Sequence, residues 1–272
     1  SQFDTSAPVP TVLPRGRGEG RLRFEQRGTR TIISERYQQG TVKLRTPRAR
    51  DAEAVLINLG GGLTGGDRMA LSAHVGAGAA ATLTTQACEK IYRSLGDDAH
   101  VHFRFCLEGC ARLDWLGQPT ILFDRGRISR TTEVEMAADA RFLGLEAMVL
   151  GRTAMGEDVV AGKVCDRWRI RREGKLIHAE HFSLDGDLAA LRARPAILNG
   201  HCALATLRFV APDAEAMVEP VRQLAQGEVA ATAMDGLLIV RAVAPTGQDL
   251  ISAITPILTL LRGASLPRFW TL

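Results

Sequence analysis

The chain is expected to be mainly β: stacked antiparallel β-sheets with repeat-like, β-helical rungs, followed by a C-terminal α+β portion with two helices. Three observations predict this. Short alternating apolar and polar segments recur along most of the chain, as half-buried strands require. A small-residue turn leading into a strand repeats at offsets of 32 and 29 residues, in Gly78-Ala79-Ala80-Ala81-Thr82-Leu83, Cys110-Ala111-Arg112-Leu113-Asp114-Trp115 and Asp139-Ala140-Arg141-Phe142-Leu143-Gly144. Beyond about residue 203 the pattern changes from period 2 to a mixture of strand and helix.

In chain order, the expected organisation is a flexible leader over 1–19, a stacked β-sheet scaffold over 20–202, and an α+β portion over 203–272 packed on the scaffold. The leader is rich in Pro and Gly (Pro8, Pro10, Pro14, Gly16, Gly18) and lacks the apolar core of a secretory signal. The scaffold strands are read from runs such as Leu22/Phe24, Val101/Phe103/Phe105/Leu107, Leu113/Trp115, Val134/Met136 and Phe142 to Leu150. Each rung is one supersecondary unit that cannot bury its own apolar face, so neighbours must stack. In the last portion, strand 204–210 precedes an amphipathic stretch with Met217, Val218, Val221 and Leu224 on one face. A strand pair turns at Gly236, and Leu250, Ile251, Ile254, Ile257, Leu258 and Leu261 mark a second helix. Pro220 and Pro256 fall inside the two helical patterns, so each helix is expected to kink or to begin later than its pattern.

Composition removes several function classes. Apolar residues at 46% and charged residues at 24% exclude wholesale disorder and a coiled coil. The longest uncharged run near the C-terminus, Leu250 to Leu261, holds a Pro and falls short of the roughly 20 residues that span a bilayer. A cytoplasmic location is expected. The five cysteines (Cys88, Cys106, Cys110, Cys165, Cys202) form no CxxC pair and read as reduced thiols. Residues 15–50 hold eleven Lys or Arg against three Glu, a local charge of +8 in a chain whose total is only +4. Such a segment suits an acidic protein surface better than nucleic acid, because it has almost no aromatic stacking partners.

The motifs carry no catalytic spacing. Asn58 to Asp67 holds five glycines in Gly60-Gly61-Gly62 and Gly65-Gly66, but no Lys-Ser/Thr follows and a strand, not a helix, comes next, so it is no phosphate loop. Its residues fit a strand connection where backbones approach closely, or a loop presenting Asp67 to a cation or a partner. His100 and His102 share one strand face, about 7 Å apart, with Cys106 further along it. His178 and His181 fall on opposite faces and cannot chelate one ion. Glu89 to Ser94 and Leu150 to Glu157 each follow a strand as a polar loop. No nucleophile elbow, zinc motif or nucleotide fingerprint is present, and the chain reads as a binding protein rather than an enzyme.

Taken together, the segments resemble the urease accessory protein D family. The resemblance runs through Gly61 to Asp67, Thr84-Thr85-Gln86, Lys90-Ile91-Tyr92-Arg93-Ser94, Leu113 to Gln118 with Ile121-Leu122-Phe123-Asp124, Leu150 to Glu157, and the tail Leu266-Pro267-Arg268-Phe269-Trp270. It covers the chain from about residue 20, and departs from the family at Leu63-Thr64, Gly117 and Ile91. The resemblance implies a non-enzymatic scaffold of urease maturation that joins accessory proteins F and G on apo-urease and helps pass nickel to its active site during GTP-dependent assembly. No cofactor is expected to bind tightly, only Ni2+ in passage. A conduit must hold Ni(II) weakly, which favours scattered interior carboxylates over a His or Cys cage. Asp67, Glu146 and Glu157 are the expected way-stations, and Tyr92, Arg93 and Ser94 the expected partner-binding residues. The residues themselves leave two other readings open: a β-rich module that binds an acidic partner through the basic segment without any metal role, and a hydrolase using His100, His102 and Asp67.

Overall fold

The computed structural model describes residues 14–47, 52–151 and 159–270. Its centre is a coil in which the chain alternates between two facing sheets. Strands β1 (Arg17–Arg27), β5 (Arg68–Val75), β8 (Ala99–Leu107), β11 (Arg127–Met136) and β13 (Ala161–Arg172) lie side by side and parallel in one sheet. Strands β4 (Ala52–Asn58), β6 (Ala80–Thr85), β9 (Arg112–Leu116) and β12 (Arg141–Leu150) do the same in the other. Register pairs Leu83 with Trp115 and Trp115 with Gly144, the same 32- and 29-residue offsets that the sequence repeats. The rungs are therefore β-helical as expected, but their strands pair parallel where antiparallel sheets were expected. A chain that crosses to the second sheet before returning re-enters the first in the same direction, so successive rungs pair parallel.

Antiparallel pairing is confined to the ends of the coil. In the first sheet β2 (Arg30–Gly40) folds back on β1, and β14 (Lys175–Asp187) on β13. In the second, β3 (Val42–Arg45) pairs with β4, and β12 meets β15 (Ala203–Val210), then β17 (Leu237–Ala244) and β16 (Glu228–Met234). Short strands β7 (Glu89–Ile91) and β10 (Thr120–Leu122) lie off this path and pair with each other, β10 also with β12. Strand β1 begins at Arg17, inside the stretch read as leader.

Two apolar cores result, one on each face of the second sheet. Between the sheets lie Phe24, Leu71, Phe105, Leu113, Trp115, Phe142 and Trp168, all buried. Gly144 is required there, because a Cβ would press on the rings of Phe142 and Trp168. On the outer face, Leu145, Leu207 and Val240 receive Leu250, Ile254, Ile257 and Leu258 of α3 (Gly247–Arg262). Strand β15 serves both cores by alternation: Ala205, Leu207 and Phe209 face the helix, Leu204 and Val210 the interior.

The hairpin between β16 and β17 turns on Asp235 and Gly236, both at positive φ (54° and 73°), as a tight two-residue turn needs. α2 (Val218–Leu224) has Pro220 in its first turn, where no amide donor is required. α3 starts at the Thr246 cap, whose hydroxyl accepts from Asp249 N at 3.2 Å, and ends at Gly263 in the left-handed region. Pro256 is accommodated inside it, so this helix does not start later; the proline only withholds an amide from the Ser252 carbonyl. A short helix, α1 (Leu188–Ala193), follows β14. Among the described residues no helix is long and apolar enough to cross a membrane.

Candidate functional site

The coil has two unlike edges. On one, tight turns around 76–79, 108–111 and 137–140 join the first sheet to the second. On the other, long crossovers run from β4 to β5, β6 to β8, β9 to β11 and β12 to β13. These crossovers are stitched together: Leu63 N donates to Lys90 O at 2.7 Å, Ser94 N to Arg125 O at 3.0 Å, and Arg125 N to Ala161 O at 2.7 Å. The glycine run belongs here, as the close-packed connection its composition suggested. A Cβ at Gly62 would overlap the Tyr92 ring, and one at Gly65 the Ser94 hydroxyl and Asp97 carbonyl.

Beneath this edge, between the sheets, lies a cavity of about 200 Å³. Apolar walls come from Leu56, Met69, Val101, Phe103, Trp115 and Ile128, and polar groups from Asn58, Glu89, Thr120, Arg130 and Glu146. Strand parity explains why charges enter. On β11 the inward series is Ile128, Arg130, Thr132, Val134, and on β12 it is Phe142, Gly144, Glu146, Met148. Parity on β13 similarly turns Asp166 and Trp168 inward.

Arg130 is the hub. Its guanidinium reaches Glu146 at 2.5 Å, Asp166 at 2.7 Å and the Thr120 hydroxyl at 3.1 Å. Arg130 and Glu146 also line a second, smaller cavity of about 30 Å³ with Asp166, Trp168, Glu180 and Arg208. Arg208 lies over the Trp168 ring at 4.1 Å and donates to Glu180 at 2.5 Å. Glu180 in turn reaches Arg241, which is mostly exposed, at 2.9 Å. A line of charged groups thus runs from Glu89, near the crossover edge, through the interior to the surface at Arg241. Asp166 Oδ1 on this line is buried without a hydrogen-bond partner.

Burial divides the carboxyls by protonation. It pushes Glu146 up to about 8 against the opposing pull of Arg130, and Glu89 up to about 7 against the bond from Asn58. Burial also opposes ionisation of Glu180, but the bonds from His178 and Arg208 outweigh it and hold that group down at about 2. The sign of the resulting pH dependence follows. Between the ordinary 4.5 and about 8, folded Glu146 keeps a proton that the unfolded chain releases, so stability falls as pH rises through that window. Glu146→Gln should flatten this fall. Urea unfolding of both proteins at pH 5 and pH 8.5 checks it, and equal losses in the two would show that Glu146 does not titrate there.

The sequence-predicted residues are placed as follows. Glu146 is in the interior cluster. Asp67 is buried at the start of β5, its two carboxylate oxygens accepting from Gly16 N at 2.7 Å and Thr64 N at 2.8 Å. Glu157 lies outside the described residues. Tyr92, Arg93 and Ser94 lie on the crossover edge: Tyr92 packs edge-on against Phe123, and Ser94 Oγ bonds to Asp97 O at 2.5 Å. Leu59, Leu95 and Val160 stand exposed on the same edge, at 63%, 83% and 57%. His100 and His102 face outward on β8, with His102 bonded to Glu133 at 3.0 Å. His178 turns inward to Arg208 and His181 outward to Cys165, so they occupy opposite faces. Among the described residues no group of three His, Cys, Asp or Glu is arranged to hold a metal ion. The sequence reading did not single out Arg130, Asp166, Glu180 or Arg208. Their inward parity within alternating strands was the available signal.

The model of the UreD urease accessory protein family matches residues 16–271. Similar proteins include the urease accessory protein UreD of Rhizobium leguminosarum bv. viciae, 47% identical over 98% of this chain and all of the relative, and that of Sinorhizobium medicae, 48% identical over 94% and 95%. The corresponding protein of Agrobacterium fabrum is 42% identical over 98% of this chain and 95% of the relative. The chain therefore belongs to the UreD family of urease accessory proteins, non-catalytic scaffolds that serve urease maturation and the assembly of its nickel centre.

Proposed function

We propose that nickel passes through the interior of this chain, entering or leaving by the cavity at Glu89 and Glu146, while the crossover edge holds the partner proteins. The cavity carries the reading: burial pushes Glu146 up to about 8 and Glu89 up to about 7, so both hold protons near neutral pH, and Glu146 shares Arg130 with Asp166, which has an unpartnered oxygen. A divalent cation reaching such groups must displace protons, so each stop is weak, and weak stops let an ion move on. Arg130 sharpens this by competing for the same oxygens. Asp67 and Glu157 are proposed as further stations; each Asp67 oxygen accepts one backbone bond and keeps a lone pair for a cation. Nickel is cargo here, with no tightly held cofactor.

The proposed partners are accessory proteins F and G and apo-urease, met in the cytoplasm. Tyr92, Arg93 and Ser94 would contact them, since they share an edge with the exposed Leu59, Leu95 and Val160, and apolar groups gathered on one edge suit a protein interface. The test is urease activation in cells expressing urease with accessory proteins F and G and either the wild-type chain or a variant. Glu146→Gln and Asp67→Asn keep an acceptor oxygen but remove the ionisable carboxyl that would bind a cation. Each should leave the purified complex intact by size exclusion while reducing nickel per urease active site at least severalfold. Full nickel loading by Glu146→Gln would mean that the chain acts as a scaffold without an interior route. Loss of the complex itself would assign the residue to folding or to an interface.

A further inference from the structure

The outward face of the first sheet is a ladder of polar rows set by parallel register. Many of its charges are paired with neighbours, along a strand or across strands: Arg21 with Glu19 at 3.6 Å, Arg23 with Glu25 at 3.0 Å, Arg104 and His102 with Glu133 at 3.5 and 3.0 Å, Arg171 with Glu135 at 3.4 Å, and His74 with Glu108 at 2.6 Å. The row nearest the crossover edge differs. Register places Arg17 beside Arg68 and Arg68 beside His100, with Ser129 next in line. All three basic side chains are exposed, and among the described residues no carboxylate pairs with them. Strands about 4.8 Å apart bring these groups into direct lateral opposition, an arrangement that costs stability when like charges meet.

The adjoining row runs Glu19, Ala70, His102, Thr131, and the basic row borders a trough of about 690 Å³ open to solvent; Glu19 and Glu133 also line it, but they are engaged by Arg21 and by His102 and Arg104. We propose that this trough docks an acidic segment of a partner protein, whose carboxylates bridge Arg17 and Arg68 and accept from His100 and Ser129. Charge complementarity supports the choice: two guanidiniums in register offer paired donors to carboxylates, and the trough lies on the sheet that holds β1 and β2, which carry Arg17, Arg21, Arg23, Arg27, Arg30 and Arg36 of the basic segment. An extended acidic chain sets alternate side chains about 7 Å apart, a spacing that reaches cations on neighbouring strands. No aromatic side chain lines the trough for base stacking, which disfavours a single-stranded nucleic acid.

The experiment uses the whole chain and a fluorescein-labelled twelve-residue peptide alternating Glu and Ser, read by fluorescence anisotropy. A Gln–Ser peptide and a single-stranded RNA of similar length serve as comparisons. The wild-type chain should bind the Glu peptide, more weakly as salt rises from about 50 to 200 mM, and should prefer it to both comparisons. Arg17→Glu with Arg68→Glu should weaken binding by about tenfold or more. Arg27→Glu with Arg30→Glu, an equal charge change at the far end of the β1–β2 hairpin, should weaken it by no more than about twofold. Equal weakening by both pairs would reduce the effect to net charge and overturn the site. No binding of the Glu peptide, or tighter binding of RNA lost in the first pair, would overturn an acidic protein segment as the occupant. Nickel loading of urease takes no part in this readout, so the docking site and the interior route can fail separately.

Discussion

Arg130→Ala should destabilise the chain by about 3–5 kcal/mol, because it leaves Glu146 and Asp166 buried against each other without their shared cation. Both carboxyls bond to Arg130, at 2.5 and 2.7 Å, and both side chains are largely buried, at 14% and 6% exposed. Part of the cost will be relieved by proton uptake, so the loss should be larger at pH 8.5 than at pH 5. Urea unfolding at the two pH values measures it. A second variant separates charge from packing: Arg130→Met combined with Glu146→Gln and Asp166→Asn removes the buried charges together and should recover most of the loss. If Arg130→Ala unfolds within about 0.5 kcal/mol of wild type, the cluster is hydrated and Arg130 is not its hub.

Trp115→Ala should cost a similar 3–5 kcal/mol, for a different reason. Trp115 is 3% exposed and packs on Phe103 and Phe105, with ring centroids 4.9 and 5.5 Å away. Its lateral neighbours in the second sheet are Leu83 and Gly144, and the glycine has no side chain with which to fill a void. The melting temperature should fall by on the order of 10 °C. A fall of only a degree or two would remove Trp115 from the rung core. Trp115→Phe, which keeps an aromatic ring in the stack, should retain more than half of the stability.

The repeat was legible because it is a local property. Ala80, Arg112 and Arg141 occupy equivalent places after small-residue turns, and register pairs them at the offsets visible in the chain. Burial of Trp115, the outward face shared by His100 and His102, and the strand–helix–strand–strand–helix ending could likewise be read from period 2 and period 3.6. The site was legible only in part. Glu146 could be picked out as an interior carboxylate. Asp67 looked like a carboxylate presented by a glycine loop, whereas each of its oxygens also accepts a backbone bond, one from Thr64 and one from Gly16, 51 residues away in sequence.

By itself, then, the sequence determined the family, the β-rich class and the rung period, since each rests on residue order or spacing within a few dozen residues. Tertiary structure alone decided strand direction, because parallel pairing depends on where the chain goes between strands rather than on the strands' own alternation. It also decided which charges meet. Arg130, Glu146, Asp166, Glu180 and Arg208 come from five different strands, and their convergence reflects register and burial. Those two factors fix both the distances between the groups and the protons they hold.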